Sequence, residues 1–242
     1  MAAIDGNAKV VAVIGNPIAH SLSPMIHEYW IQKHRLNAAY IPLCLEPENF
    51  SSGVRLLAQS GVVGFNITLP FKGEAYKLVD NHERSAMHCG SVNCIYAETT
   101  GFLIGTNTDI YGFQALFDHA MAGNPQIKRG PIAVLGSGGA ARAVLCALKE
   151  YAECDIIVIN RSPENAHTIV SELGINARVH PMDKALPQEC SPTCIVNTLP
   201  YHINATKAYE AVIERVARDG VAIDISYAKE RTPFLKIAST KL

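Results

Sequence analysis

The sequence is poor in charged residues and has no excess of either sign. Its 242 residues contain 21 Lys plus Arg and 22 Asp plus Glu, a net charge of −1, and charged residues make up 18% of the chain. Soluble domains average about 25%. Without a broad basic field, the chain is a poor candidate for binding nucleic acid or an anionic membrane. We therefore expect a small-molecule ligand.

Long apolar runs and paired cysteines are also missing. The N-terminus carries only the short apolar run 10–14, which predicts neither a signal peptide nor a membrane span. The seven cysteines are odd in number and include no C-x-x-C, so no second pair completes a zinc site. We expect reduced thiols, no metal and a cytoplasmic protein.

What the sequence does contain is an alternation of strand and helix patterns. Hydrophobic residues make up 48% of the chain, enough for one large domain or two small ones. In the second half, a βαβα succession predicts a parallel sheet with helices on both faces. We predict two α/β domains, residues 1–108 and 109–242, in which 109–130 forms a connecting helix and linker. The segment 122–130, rich in breakers, is the linker candidate.

The individual elements follow from hydrophobic period and breakers. Strands are predicted at 10–14, 39–45, 62–67, 92–97, 101–105, 131–135, 155–159, 177–180, 193–197 and 221–225. Helices are predicted at 24–34, 47–59, 71–79, 83–88, 108–121, 139–151, 164–173 and 207–217. Ser23 is the expected N-cap of the first helix, with Pro24 at N1.

A glycine-rich turn opens the second domain. It follows the strand 131–135, begins a helix, and consists of Gly136, Ser137, Gly138, Gly139 and Ala140. In that context glycine lets the backbone approach a pyrophosphate, whose charge the first helical N–H groups bind. The alternative is a glycine-rich turn without a ligand.

The end of the next strand decides between cofactors. It consists of Asn160, Arg161 and Ser162. A basic residue there would bind a 2′-phosphate, which favours NADP over NAD. Asp155 begins the same strand and so lies at the wrong end to bind a ribose. The alternative for Arg161 is a solvated surface guanidinium.

Polar residues also follow strands of the first domain. Ser21 and Ser23, at the start of a helix, suit a carboxylate, although N-capping alone accounts for Ser23 equally well. Asn66, Thr68 and Asn93 could bind substrate hydroxyls or serve as turn residues.

Two charged residues complete this set. Lys72 is the one ammonium among these loops, and Asp109 is a carboxylate that could orient it. Alone, each is more often a surface charge.

Together these segments resemble the shikimate dehydrogenase family, over about residues 13–235. The matching motifs are Gly15-Asn16-Pro17-Ile18 with His20-Ser21-Leu22-Ser23-Pro24, Gly64 to Lys72, Val92-Asn93, Asn107-Thr108-Asp109, the glycine turn, Asn160-Arg161-Ser162, and Asp224 with Tyr227 and Thr232-Pro233. The resemblance implies an N-terminal substrate-binding domain and a C-terminal Rossmann-like NADP-binding domain.

The resemblance also implies an activity and roles. The activity is reversible NADPH-dependent reduction of 3-dehydroshikimate to shikimate in aromatic amino-acid biosynthesis, by a monomer or homodimer. Lys72 and Asp109 would form the catalytic pair, and the two serines would bind the carboxylate. The implied contacts to the ring hydroxyls or to Lys72 come from Asn66, Thr68 and Asn93. Ile225 and Tyr227 would line the nicotinamide side, with Tyr227 also contacting substrate.

Two departures from the family pattern keep alternatives open. Asn165 replaces a residue that is commonly basic in the family, which predicts a weaker preference for NADP. Family members also continue into a helix whose glutamine contacts substrate, whereas this sequence ends at Leu242; either it is a truncated chain or a contact has been lost, which predicts poor substrate affinity. The alternatives are a quinate or amino-shikimate dehydrogenase, and a catalytically impaired NADP-binding regulatory protein.

Overall fold

A computed structural model describes residues 4–151, 154–200, 206–226 and 230–242. The chain divides into two compact units, Met1–Thr108 and Asp109–Leu242. Each unit contains one β-sheet with helices packed against it. In the described part of the chain, no helix is long and apolar enough to cross a membrane.

The first unit is built on a mixed sheet. Its six strands are β1 Lys9–Gly15, β2 Ala38–Cys44, β3 Val62–Ile67, β4 Asn81–His82, β5 Cys94–Ala97 and β6 Leu103–Thr106. They lie in the order β2-β1-β3-β5-β6-β4. The three strands β2, β1 and β3 are parallel, whereas β5 is antiparallel to both of its neighbours. The predicted β5–β6 hairpin is confirmed, and the two-residue strand β4 was not predicted.

The helices of the first unit are short. They are α1 Ser23–Lys33, α2 Phe50–Gln59 after a 3-10 turn at Pro47–Asn49, α3 Lys72–Leu78 and α4 Arg84–Cys89. The prediction that Ser23 is the N-cap of α1 is wrong. Leu22 occupies the cap with no side-chain hydrogen bond, and Ser23 is already helical. The Ser23 N–H instead donates to the Ser21 hydroxyl oxygen at 3.3 Å.

One face of this sheet packs against α2 and α3. Helix α2 buries Phe50, Val54 and Ala58, which recur every four residues and so form one stripe. Phe50 stacks on Phe71 with ring centroids 4.4 Å apart, and Phe71 is 1% exposed. Burying a side chain of this size stabilises the fold by about 1.5–3 kcal/mol. Phe71 thereby fixes the position at which α3 begins.

The second unit is built on a parallel sheet, as predicted. Its strands are β7 Ile132–Leu135, β8 Ile156–Asn160, β9 Ala177–Pro181, β10 Cys194–Asn197 and β11 Val221–Asp224. They lie in the order β11-β10-β7-β8-β9, and every pair is parallel. When the strands are renumbered within the unit, this is the strand order of a Rossmann-type sheet. All strands run parallel, but the order in which successive strands are added to the sheet reverses between β7 and β10.

The helices of the second unit are α5 Asp109–Gly123, α6 Gly139–Lys149, α7 Pro163–Leu173, α8 Thr206–Ile213 and α9 Pro233–Lys241. The prediction of a linker at 122–130 is wrong. Helix α5 continues to Gly123, and a 3-10 helix follows at Pro125–Arg129. Ile127 in that turn is fully buried, and its carbonyl accepts from the Thr193 hydroxyl at 2.9 Å. Breaker residues therefore mark a packed turn here.

Helix α9 was not predicted. Its N-cap is Thr232, whose hydroxyl oxygen accepts from the Leu235 N–H, and Pro233 follows the cap. Phe234 is fully buried and lies edge-on to Tyr209 of α8, with ring centroids 5.3 Å apart. Phe234 and Tyr209 pack on one face of the sheet, in the same hydrophobic cluster as Ile195 of β10.

Candidate active site

In the first unit, the loops that follow β1 and β3 are bonded to one another. The Thr68 N–H donates to the Ile14 carbonyl at 2.9 Å, and the Asn16 N–H donates to the Leu69 carbonyl at 3.0 Å. Gly15 lies between them, where a Cβ atom would stand 2.5 Å from Thr68 Cγ2. Any larger residue at position 15 would displace the Thr68 side chain. The predicted residues of the two loops therefore lie at the same edge of the sheet.

Asn66 is oriented by an aromatic pair that sequence reasoning missed. The Tyr40 hydroxyl donates to Asn66 Oδ1 at 2.7 Å, and the Tyr40 ring stacks on His27 of α1 at 3.9 Å between centroids. Burial lowers the pKa of His27. Among the described residues, none accepts from the Asn66 Nδ2 group, so that amide can donate to a ligand.

Asn93 is bonded to the segment that precedes Asp109. Its Nδ2 donates to the Thr108 hydroxyl at 2.9 Å, and its Oδ1 accepts from the Thr108 N–H at 2.9 Å. The neighbouring Asn107 is fully buried and donates to the Ser91 carbonyl and, through its backbone N–H, to the Ser85 hydroxyl. Asn93 therefore fixes the conformation of this loop.

Lys72 is the first residue of α3 and is half-buried. The Val92 N–H donates to its carbonyl oxygen at 3.0 Å, next to Asn93. Asp109 is the first residue of α5, directly after Thr108, where a carboxylate is favoured by the helix dipole. Each charged group is thus placed at a helix start by the buried residues around it.

The two serines lie at the start of α1. Both are half-buried, and the Ser21 N–H donates to the Ile18 carbonyl at 2.9 Å. Their two hydroxyl groups, at the positive end of a helix dipole, suit a carboxylate ligand.

In the second unit, the glycine turn follows β7 as predicted. Gly136 has a φ of +105°, and a Cβ atom there would stand 2.6 Å from the Thr198 hydroxyl. Gly138 is the N-cap of α6, and a Cβ atom there would have no heavy atom within 4 Å among the described residues. The turn therefore presents bare backbone N–H groups at a helix N-terminus with open space in front, which fits a pyrophosphate.

The carboxyl end of β8 carries the predicted cofactor-choice residues. Asn160 Nδ2 donates to the Ser162 carbonyl at 2.9 Å, which shapes the turn before α7. Arg161 is exposed and forms no ion pair within the described part of the chain. Asp155, at the opposite end of β8, pairs with Arg178 at 2.5 Å.

Two predicted residues follow β11. The Ile225 N–H donates to the Asn197 carbonyl at 3.2 Å, so Ile225 continues the ladder beyond the strand. Tyr227 lies outside the described residues. Over the described ranges, no cluster of three or more His, Cys, Asp or Glu side chains could bind a metal ion.

The fold and these loops define a two-domain α/β protein of the nicotinamide-dinucleotide-dependent dehydrogenase class. A family model described as the shikimate dehydrogenase substrate binding domain matches residues 13–95. The chain belongs to the shikimate dehydrogenase family.

Individual relatives support this membership. The chain is 34% identical to a shikimate dehydrogenase (NADP⁺) of Paramagnetospirillum magneticum, over 98% of this chain and 86% of the relative. It is 36% identical to that of Acidiphilium cryptum, over 98% and 84%.

Solved structures of the family are similar in fold. A shikimate dehydrogenase in complex with NADP⁺ has a TM-score of 0.83 and 30% identity, over 99% of this chain and 84% of that one. The Thermus thermophilus enzyme in complex with NADP(H) and shikimate has a TM-score of 0.77 and 32% identity, over 96% and 84%.

Proposed function

We propose that this protein is a shikimate dehydrogenase that interconverts 3-dehydroshikimate and shikimate with NADP(H). The proposal rests on two sets of loops, one in each unit. One presents hydroxyl, amide and ammonium groups in the first unit, and the other presents a bare glycine turn and Arg161 in the second. Together they match a hydroxylated carboxylate substrate and a phosphorylated dinucleotide, the ligands of the Thermus relative.

In the first unit, we assign substrate binding to the loops after β1 and β3 and to Asn93, which directly precedes β5. Ser21 and Ser23 would bind the carboxylate at the start of α1. The Asn66 amide, oriented by Tyr40, would donate to a ring hydroxyl. Thr68 and Asn93 would make further contacts with the ring hydroxyls or with Lys72.

Proton transfer is assigned to Lys72, with Asp109 as its partner carboxylate. NADPH, when bound, supplies the hydride. Reduction of a ketone develops negative charge on its oxygen, which needs a donor within about 3 Å. The Lys72 Nζ would give its proton to that oxygen and take it back in the oxidation of shikimate. Asp109 would orient Lys72.

In the second unit, we assign NADP to the glycine turn and the end of β8. Gly136, Ser137, Gly138, Gly139 and Ala140 would bind the pyrophosphate. Arg161 would bind the 2′-phosphate beside Asn160 and Ser162. Since Asn165 adds no second positive charge, we expect the preference for NADP over NAD to be weaker than with two cations. Ile225 would line the nicotinamide, together with Tyr227 of the undescribed segment.

A second candidate substrate is quinate or an amino-shikimate, acted on by the same site. The presence of serine at both positions 21 and 23 favours shikimate. The further alternative, a non-catalytic NADP-binding regulator, is disfavoured because Lys72 and Asp109 are both present.

The proposal includes the cellular setting. All seven cysteines are free, which supports the reducing environment of the cytoplasm. The partners are small molecules, and the active form is a monomer or a homodimer.

The test is a spectrophotometric assay of the purified chain with shikimate or quinate, each with NADP or NAD. We expect the highest kcat/KM with shikimate and NADP. Lys72→Ala should lower kcat by roughly 10²–10⁴-fold and leave NADPH affinity unchanged. Lys77→Ala, at an exposed position of the same helix, is the matched control and should keep full activity. NADPH binding without turnover of either substrate would favour the regulatory alternative.

A further inference from the structure

Asp224 is the hub of a hydrogen-bond network that the assignments above leave unused. It is the last residue of β11, half-buried, and its carboxylate accepts four hydrogen bonds. Oδ1 accepts from Asn197 Nδ2 at 3.0 Å, from the Ser226 N–H at 3.0 Å and from the Ser226 hydroxyl at 2.7 Å. Oδ2 accepts from the Thr232 hydroxyl at 2.5 Å. Charge-assisted bonds of this kind are about twice as strong as neutral ones.

The donors come from separate parts of the second unit. Asn197 ends β10 and is 2% exposed, and Thr232 caps α9 and is 4% exposed. Ser226 follows β11 by two residues. The single carboxylate therefore joins a neighbouring strand, the chain after its own strand, and the start of α9.

This network is continuous with the glycine turn. Thr198, next to Asn197, donates through both its N–H and its hydroxyl to the Leu135 carbonyl, at 3.1 and 2.6 Å. Leu135 is the residue before Gly136. The network thus lies at the point between β7 and β10 where the sheet order reverses, which is where dinucleotides bind in such sheets.

We infer that Asp224 is a positioning residue, which fixes Ile225 and Ser226 at the carboxyl end of β11, on the same edge of the sheet as the glycine turn, so that this segment presents a preformed surface to the nicotinamide half of the cofactor. The inference rests on the proposed function. Ile225 is bonded at its own N–H to Asn197, and both of its neighbours belong to the network, so its backbone has little freedom.

The test compares the whole cofactor with its adenosine half. Asp224→Asn keeps the shape but places an amide N–H₂ where the carboxylate accepted hydrogen bonds. We expect the Kd for 2′,5′-ADP to stay within about twofold, the Kd for NADPH to rise about tenfold, and kcat to fall at least tenfold with KM for shikimate little changed. Asp219→Asn, just before the opposite end of β11, is the control. Thr232→Ser, which retains the hydroxyl, should restore what Thr232→Val loses.

Two results would overturn the inference. One is an Asp224→Asn variant that binds NADPH and 2′,5′-ADP like the wild type. The other is equal weakening of both ligands with a lowered Tm, which is the signature of a purely structural role. Since both readouts are binding, they hold even if the wild type fails to oxidise shikimate, and a wild type that binds no NADPH contradicts the cofactor assignment and this inference together.

Discussion

The candidate ligand sites of the two units are built in different ways. In the first unit, side chains bond one another before any ligand arrives, as in the Tyr40–Asn66 and Asn93–Thr108 pairs. In the second unit, the site is mainly backbone, since Gly136 and Gly138 expose N–H groups and leave room in front. A side-chain site can distinguish hydroxyl positions, whereas a backbone site binds phosphate of any parent molecule. This difference suits a specific substrate and a shared cofactor.

The units nevertheless share one device. Each has a glycine at the carboxyl end of a central strand, packed against a threonine that follows the adjacent strand. In the first unit the pair is Gly15 and Thr68, and in the second it is Gly136 and Thr198. Substituting either glycine should damage the ligand site of its own unit alone.

The largest effect is expected from Gly136→Ala. Its φ of +105° and the 2.6 Å approach of a Cβ atom to the Thr198 hydroxyl make alanine strained. We expect NADPH affinity to fall at least about 100-fold, while shikimate affinity stays unchanged, by calorimetric titration of each ligand.

Gly138→Ala separates strain from binding. A Cβ atom there meets no described protein atom within 4 Å. The Tm should therefore stay unchanged while NADPH binding weakens, because the methyl group would occupy the space of the pyrophosphate. Normal NADPH affinity in this variant would remove the glycine turn from the cofactor site.

Arg161→Ala should have the next largest effect. Loss of one charge-assisted contact to the 2′-phosphate costs about 1.5–3 kcal/mol, or roughly 10–150-fold in the Kd for NADP. The Kd for NAD should change less than about twofold. Arg218→Ala, an exposed arginine outside the loops of the site, is the control. Equal losses for NADP and NAD would contradict the role of Arg161.

Gly15→Ala is expected to act on the first unit only. The new methyl group would stand 2.5 Å from Thr68 Cγ2, 3.0 Å from Ile18 Cδ1 and 3.1 Å from the Leu69 carbonyl oxygen, so Thr68 must move. Displacement of Thr68 should raise KM for shikimate about tenfold, with the Kd for NADPH unchanged. Gly73→Ala in α3, where a Cβ atom has open space, should leave KM unchanged. A changed Kd for NADPH in Gly15→Ala would contradict the assignment of substrate to the first unit and cofactor to the second.

The smallest effect concerns pH. Burial lowers the pKa of His27 from its ordinary value of 6.5, so the unfolded chain binds the proton more readily than the folded one. Stability should therefore fall as the pH drops below about 6.5. His27→Phe, which keeps a ring on Tyr40, should lose less Tm between pH 7 and pH 5. The carboxyls with lowered pKa, such as that of Asp80, act at lower pH. An identical loss in variant and wild type would exclude His27 as the cause.

The parallel second unit was the easier to predict from sequence. Its buried strands appear as short apolar runs with a breaker after each, as in Ile132–Leu135 before Gly136. Helix α9 was not predicted because the apolar pattern after Thr232 is short and only weakly amphipathic, although Thr232-Pro233 is a typical helix start. Strand order and the packed turn around Ile127 depend on contacts between distant segments, which local patterns do not contain.

The candidate site was proposed from residue type, because hydroxyl, amide and ammonium side chains lie at or near strand ends. The roles of these residues stay predictions. Their supporting partners were missed, because Tyr40 reaches Asn66 from another strand and Ser85 reaches Asn107 from a helix. A single tyrosine or serine in a sequence carries no sign of such a partner.

The central claim is that the first unit binds the substrate and the second unit binds the cofactor. Amide chemical-shift mapping of the wild-type chain with each ligand alone tests this claim most directly. We predict that shikimate shifts amides within residues 1–109, centred on the loops after β1 and β3 and on the segment just before β5. We predict that 2′,5′-ADP shifts amides within residues 136–165, at the glycine turn and the end of β8. Shikimate shifts centred on the glycine turn, or 2′,5′-ADP shifts centred on Ser21 and Lys72, would contradict the account.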